Sequence, residues 1–182
     1  MGHKDTTLVW VDLEMTGLDP DKCAILEIAM ILTDPNLKVI DKPLNIPIWQ
    51  PDSVLETMEP FVRSMHEKSG LLPKIRSSDV SLEGAEIKVM EMLTRHCRYR
   101  SSPLCGNSIG QDRRFLFKYM PQVEGYLHYR NIDVSTVKEL ALWWYDVKYV
   151  KPDTGKHTAL HDIEQSIAEL KHFREHVFKP RS

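Results

Sequence analysis

Apolar residues recur at two different spacings along this chain, and the change from one to the other divides it. Residues 8–13, 24–33 and 38–49 are apolar runs of strand character, rich in Val, Ile and Leu, separated by the turn-forming Leu18-Asp19-Pro20-Asp21 and Asp34-Pro35-Asn36. Such short separations predict antiparallel neighbours. Beyond residue 52 the spacing becomes helical. Residues 52–76 read as helix interrupted by Pro60, Gly70 and Pro73. Residues 81–97 form a clearer helix with Leu82, Ala85, Val89, Met92, Leu93 and His96 on one face; Ser81 caps it and Glu83 lies near its positive end. A short strand at 103–105, a helix from about Gln111, a strand near 130–133 and a helix over 135–145 follow. The last helix, 158–178, turns Ile163, Ile167, Leu170, Phe173 and Val177 inward. Strands first, then alternating helix and strand, predict an α/β fold: a mixed β-sheet flanked by α-helices. With no internal repeat, low-complexity tract or linker, residues 1–182 are expected to form one domain, with 1–6 and 179–182 as flexible ends.

The first strand also carries chemistry. Side chains alternate along a strand, so Trp10, Asp12 and Glu14 face one way and Val9, Val11 and Leu13 the other. Two carboxylates thus stand side by side at the end of a strand whose beginning is core. Keeping them ionised there is costly unless a cation binds them, and a divalent metal, which takes oxygen ligands, is the obvious one. Alone, Asp-x-Glu also fits a strand end whose acids reach solvent. The rest of the chain adds Asp112, in Gly106-Asn107-Ser108-Ile109-Gly110-Gln111-Asp112, and Asp162, in His157-Thr158-Ala159-Leu160-His161-Asp162.

Asp12-x-Glu14, Asp112 in its Asn-Ser-x-x-x-Asp block, and His157 ahead of Asp162 together resemble the signature of the DEDDh 3′-to-5′ exonucleases. Residues 10–18, Lys68-Ser69-Gly70-Leu71 and residues 133–140 resemble the branch of that family that acts on very short RNAs; the likeness runs from about Leu8 to Phe178. It implies a ribonuclease H-like fold with the first strand central, and a 3′-to-5′ exoribonuclease degrading chiefly dinucleotides to 5′-mononucleotides. Asp12, Glu14, Asp112 and Asp162 would hold metal, and His157 would be the general base. Leu18 would wedge against the bases and Phe61 stack there. Ser108, Ser135 and Thr136 would hold the terminal 5′ phosphate. Family members form two-fold dimers, in which Tyr129 and Arg130 would reach into the partner's active site. Two positions depart from the family pattern: His161 stands where relatives usually have Asp, and Phe61 where they usually have Trp.

The chemistry fits those residues. Hydrolysing a phosphodiester needs an activated water, offset charge on the non-bridging oxygens and a stabilised leaving alkoxide; two divalent ions roughly 3.5–4 Å apart supply all three. Mg²⁺ or Mn²⁺ is expected, since the carboxylates offer oxygen and the chain has no Cys–His ligand pairs for zinc. A histidine near its reference pKa of about 6.5 suits proton abstraction at neutral pH.

Composition narrows the partners. Net charge is −2, with 24 Lys plus Arg against 26 Asp plus Glu, too little positive charge to grip long nucleic acid through many phosphates. A local basic set, Lys148, Lys151 and Lys156, fits either a solvated loop or a phosphate neighbour. No apolar run approaches the roughly 20 residues needed to span a bilayer. Cys23, Cys97 and Cys105 lack metal-type spacing and read as buried free thiols of a cytoplasmic protein, although a processed organellar protein has the same composition. His172 and His176 have metal-pair spacing but no acidic partner, and read as an exposed helix face. Trp143 and Trp144 are about 100° apart on their helix and Tyr145 extends the cluster, so one ring is expected to face outward at a homodimer interface. Three alternatives remain: a DEDDh exonuclease for longer strands, a phosphatase using Asp12 as nucleophile, and a non-catalytic nucleic-acid binder.

Overall fold

In the computed structural model, which describes residues 7–151 and 158–179, the sheet is built around its first strand. β1 (Leu8–Met15) pairs antiparallel with β2 (Ile25–Thr33), which pairs antiparallel with β3 (Leu44–Pro47). On its other side β1 pairs parallel with β4 (Pro103–Gly106), and β4 pairs parallel with β5 (His128–Asp133). The order is β3-β2-β1-β4-β5, with β1 central. The helices are α1 (Asp52–Leu55), α2 (Pro60–Lys68), α3 (Leu71–Ser77), α4 (Leu82–His96), α5 (Gly110–Tyr119), α6 (Pro121–Tyr126), α7 (Val134–Tyr145) and α8 (Ala159–His176).

The alternation along β1 separates two cores. Val9, Val11 and Leu13 pack in a cluster with Val89 and Leu93 of α4 and Phe115 and Leu116 of α5. Leu8 and Trp10 belong to a second cluster with Ile163, Ile167 and Phe173 of α8. Both faces of β1 are therefore covered, as a strand flanked by helices requires. The one polar atom of Trp10 is satisfied, its Nε1–H donating to Thr33 Oγ1 at 3.0 Å. Burial relaxes only toward the carboxyl end of β1, at Asp12, Glu14 and Met15. The carboxyl ends of the parallel strands β1, β4 and β5 point the same way, the usual place for a site in such a sheet.

The local signals hold with some corrections. Ser81 caps α4, its Oγ accepting from Gly84 N at 3.1 Å. Pro60 opens α2, and Gly70 precedes α3 at φ 71°, a left-handed conformation that glycine adopts without penalty. Pro73 does not break the chain but sits in the first turn of α3, where its missing N–H has no helical partner to lose. The third strand is far shorter than residues 38–49, because Pro43 cannot donate to a ladder and Asp41 O δ1 instead accepts the Lys42 N–H. Only an isolated bridge, Thr33 with Val39, precedes it. Among the described residues, no helix is long and apolar enough to cross a membrane.

Candidate active site

Asp12 and Glu14 on β1 meet Asp162 from α8, and one carboxylate oxygen of each lies within 4.8 Å of the others. Asp162 comes from the first turn of α8, which Thr158 caps by accepting the His161 N–H at 3.4 Å. Asp112 arrives from the first turn of α5 and is buried. The β1–β4 pairing ends at Trp10 and Cys105, and beyond it the Leu13 N–H donates to Asp112 Oδ1 at 3.0 Å. One bond thus ties the third acidic segment to the strand that carries the first two.

The electrostatics of this cluster call for a cation. Burial, reinforced by Asp112, Glu14, Asp162 and Glu27, pushes Asp12 up to about 9. Burial, with Asp162, Glu27 and Asp112, pushes Glu14 up to about 8. Asp112 rises to about 7, mainly through burial, although the Leu13 N–H favours its charged form. Carboxylates so disfavoured as neighbours are stabilised together by a hard divalent ion, and the donor set, all oxygen, fits one.

Asp12, Glu14 and Asp162 line a cavity of about 310 Å³ together with the apolar Leu18, Val62 and Met65. Leu18 is 68% exposed at the tip of the turn after β1, and Gln111 Nε2 of α5 donates to its carbonyl. Gly17 permits this turn to pack, since a Cβ there would lie 2.8 Å from Cys23 Sγ. Phe61 is 79% exposed and lies one helical turn before Met65 on α2. Sequence reasoning missed His66. It is 1% exposed, with Nε2 2.9 Å from the Met15 carbonyl and Nδ1 3.8 Å from Glu14 Oε2. A carbonyl only accepts, so Nε2 carries the hydrogen. Its partner lies 51 residues away, which no local pattern encodes.

A second polar group forms where β4 and β5 end. Asp133 caps α7, its Oδ1 accepting from Ser135 N and Ser108 N, each at 3.0 Å. Ser108 is held at φ 50°, with its Oγ 3.1 Å from Ser135 Oγ. Thr136 is exposed in the same first turn of α7.

Other expected residues lie apart from the acids. Tyr129 and Arg130 are exposed on β5, the edge strand, with the Arg130 guanidinium 5.4 Å from the Tyr129 ring centre. The grooves they line contain none of the acids. His161 lies in the first turn of α8 beside Asp162, its Nδ1 3.7 Å from Glu164 Oε2. His157 and Lys156 lie outside the described residues. Lys148 is exposed, whereas Lys151 Nζ lies 3.7 Å from the buried Glu169. His172 is not an exposed face, being half-buried against the Tyr149 ring; His176 is exposed and stacks on it. Trp143 and Trp144 are both exposed, at 69% and 67%, and so is Tyr145, where one outward ring was expected. Cys97 and Cys105 are buried free thiols; Cys23 is only partly buried.

Comparison with known proteins agrees with this geometry. The model of the exonuclease family matches residues 9–170. The oligoribonuclease of Marinobacter nauticus is 51% identical over 173 residues, 94% of this chain and 96% of that protein. The oligoribonuclease of Chromobacterium violaceum is 45% identical over 180 residues, 98% and 99% of the two chains. The zinc-bound form of an E. coli exonuclease I complex with single-stranded DNA superposes with a TM-score of 0.72 at 16% identity, covering 94% of this chain and 41% of that one. That likeness shows the fold, which is ribonuclease H-like. The chain belongs to the exonuclease family and, within it, to the oligoribonucleases.

Proposed function

We propose that this chain is a 3′-to-5′ exoribonuclease that hydrolyses very short oligoribonucleotides, chiefly dinucleotides, to 5′-mononucleotides. The observation that carries the reading is the convergence of Asp12, Glu14 and Asp162 within 4.8 Å on a cavity walled by Leu18 and Met65. In this reading Asp12, Glu14, Asp112 and Asp162 hold two ions, Mg²⁺ or Mn²⁺. Such ions, when bound, would make a water easier to deprotonate for attack on phosphorus and would supply positive charge for the developing oxyanions.

The chain's own residues do the rest. Asp112, tied to Leu13, keeps α5 against the end of β1, so that the acids from separate segments stay together. His66 braces the Met15 carbonyl and sets its ring beside Glu14. Leu18 and Phe61 offer apolar surface to the bases. Ser108, Ser135 and Thr136, at the positive end of α7, suit a terminal 5′ phosphate and would close the site beyond a second nucleotide. His157 takes the proton from the attacking water, a role drawn from its family position.

A homodimer completes the reading. Tyr129 and Arg130 line grooves separate from the acids, so in one chain they do not serve the same cavity. A two-fold partner would bring them in, and the exposed Trp143, Trp144 and Tyr145 supply apolar surface of the kind interfaces use. The buried free thiols of Cys97 and Cys105 suit the reducing cytoplasm.

The test is hydrolysis of a 5′-labelled diribonucleotide by the parent protein and Asp12→Ala, with Mn²⁺ or excess EDTA. Turnover confined to the parent with Mn²⁺ is expected. Full activity in EDTA, or in Asp12→Ala, would overturn the metal-dependent reading.

A further inference from the structure

Glu169 is fully buried on α8, seven residues beyond Asp162, and the chemistry above does not use it. Its Oε2 accepts from Asn107 Nδ2 at 3.0 Å, and Lys151 Nζ lies 3.7 Å from the same oxygen. Its Oε1 has no hydrogen-bond partner among the described residues; Lys138 Nζ of α7 stands 3.8 Å away. A buried carboxylate flanked by two cations at long range is held mainly by its one good hydrogen bond, to Asn107.

That bond fixes directions further out. The other Nδ2 hydrogen of Asn107 donates to Ser166 Oγ at 2.8 Å, and Ser166 Oγ itself donates to the Asp162 carbonyl at 2.9 Å. A carboxylate offers only acceptors, and Ser166 has already committed its proton, so the Asn107 nitrogen must face α8. Asn107 Oδ1 therefore faces the other way, where it accepts the Ser135 hydroxyl at 3.0 Å. With its proton turned inward, Ser135 Oγ presents lone pairs to the Ser108 N–H at 3.0 Å and to the Ser108 hydroxyl at 3.1 Å. Ser108 is thereby kept in its left-handed conformation, and its hydroxyl proton is the one free to swing from Ser135 to an arriving anion.

We propose that Asn107 and Glu169 are positioning residues: they set the hydroxyl directions at the α7 end of the site, and so the preference for a substrate bearing a 5′ phosphate. The inference rests on reading Ser108 and Ser135 as the seat of that phosphate. Removing the Asn107 amide releases the Ser135 proton from its fixed direction, so that neither serine hydroxyl keeps a set orientation toward the phosphate. Replacing Glu169 by glutamine offers Asn107 a nitrogen as well as an oxygen, so that only Ser166 still holds the amide nitrogen toward α8.

The test compares steady-state kinetics on a dinucleotide with a 5′ phosphate and on the same dinucleotide with a 5′ hydroxyl. Asn107→Ala should raise KM for the phosphorylated substrate by about tenfold, the worth of one charge-assisted hydrogen bond, and Glu169→Gln by about threefold. For both variants kcat, and KM for the hydroxyl substrate, should stay within about twofold of the parent, since interactions at the metals are unchanged. A simple loss of structure would not produce this split. Glu169→Gln preserves side-chain volume and decides the matter alone if Asn107→Ala fails to fold. An unchanged ratio of the two KM values in the folded variant overturns the proposal. Ser135→Ala separates the two readings: if it too leaves the ratio unchanged, the phosphate seat itself is misplaced, whereas if it alone abolishes the preference, only the positioning role falls.

Discussion

The Leu13 amide and the Asp112 carboxylate, 99 residues apart in sequence, are joined by a 3.0 Å hydrogen bond that fastens α5 to the end of β1. Asp112 thus has a mechanical role as well as a charge, and the two are separable. Asp112→Asn retains an acceptor for Leu13 and removes only the charge; turnover should disappear while thermal stability in EDTA rises, because a buried repulsive carboxylate is gone. Asp112→Ala also strands a buried N–H and should be less stable than Asp112→Asn by about 1–3 kcal/mol. Calorimetry on the two variants checks this, and equal stabilities would deny the bond its structural role.

The raised acids make stability depend on pH in a defined direction. Asp12, Glu14 and Asp112 titrate near 9, 8 and 7 in the fold, far above ordinary carboxylates at about 4. Between those limits the folded chain binds more protons than the unfolded one, so stability falls as pH rises. Without metal, Tm should drop steadily from about pH 5 to about pH 9. Mn²⁺ needs the ionised forms and should stabilise more as pH increases. Asp12→Asn should flatten the metal-free profile. A metal-free Tm that climbed over this range would contradict the burial of these charges.

His157 carries a separate expectation. His157→Ala should slow hydrolysis by roughly 10²–10⁴-fold with little change in Mn²⁺ affinity, and the rate of the parent should rise through the histidine titration range. An active His157→Ala beside an inactive His161→Ala would move the base to the neighbouring helix position. Calorimetric titration with Mn²⁺ distinguishes loss of the base from loss of metal.

Much of this arrangement was legible in the chain, because it depends on local rules. The alternation of β1 anticipated its two cores, and Ser81 marked the start of α4. What escaped depends on contacts distant in sequence or on punctuation with two meanings. The short α6, which Pro121 opens at its first position, carries no apolar repeat long enough to mark it in the sequence. Asp41 and Pro43 delay the start of a strand that apolar content alone would have begun at residue 38. His66 looks like any helical histidine until its ring meets the Met15 carbonyl. The acids were found because four of them share a recognisable spacing; Glu169 and Asn107 act through each other, and no motif marks the pair.

Association can be tested through the sites themselves. Light scattering should give a mass twice the 21.1 kDa of one chain. If Arg130 serves the partner's cavity, Asp12→Ala and Arg130→Ala should each be impaired alone. Mixed and allowed to exchange, they should recover about a quarter of the parent activity, because half the dimers are mixed and each has one intact site. No recovery, with exchange verified by mass, would place Arg130 in its own chain's chemistry or in none.

The central claim is a site closed just beyond two nucleotides. The most direct measurement incubates limiting protein and Mn²⁺ with equal amounts of 5′-phosphorylated diribonucleotide and heptaribonucleotide in one tube, following both by separation on length. The dinucleotide should be consumed first, with kcat/KM larger by at least about a hundredfold, as expected where the longer chain cannot seat its terminal phosphate. Equal consumption of the two lengths would contradict that closure and assign the chain to exonucleases of longer strands.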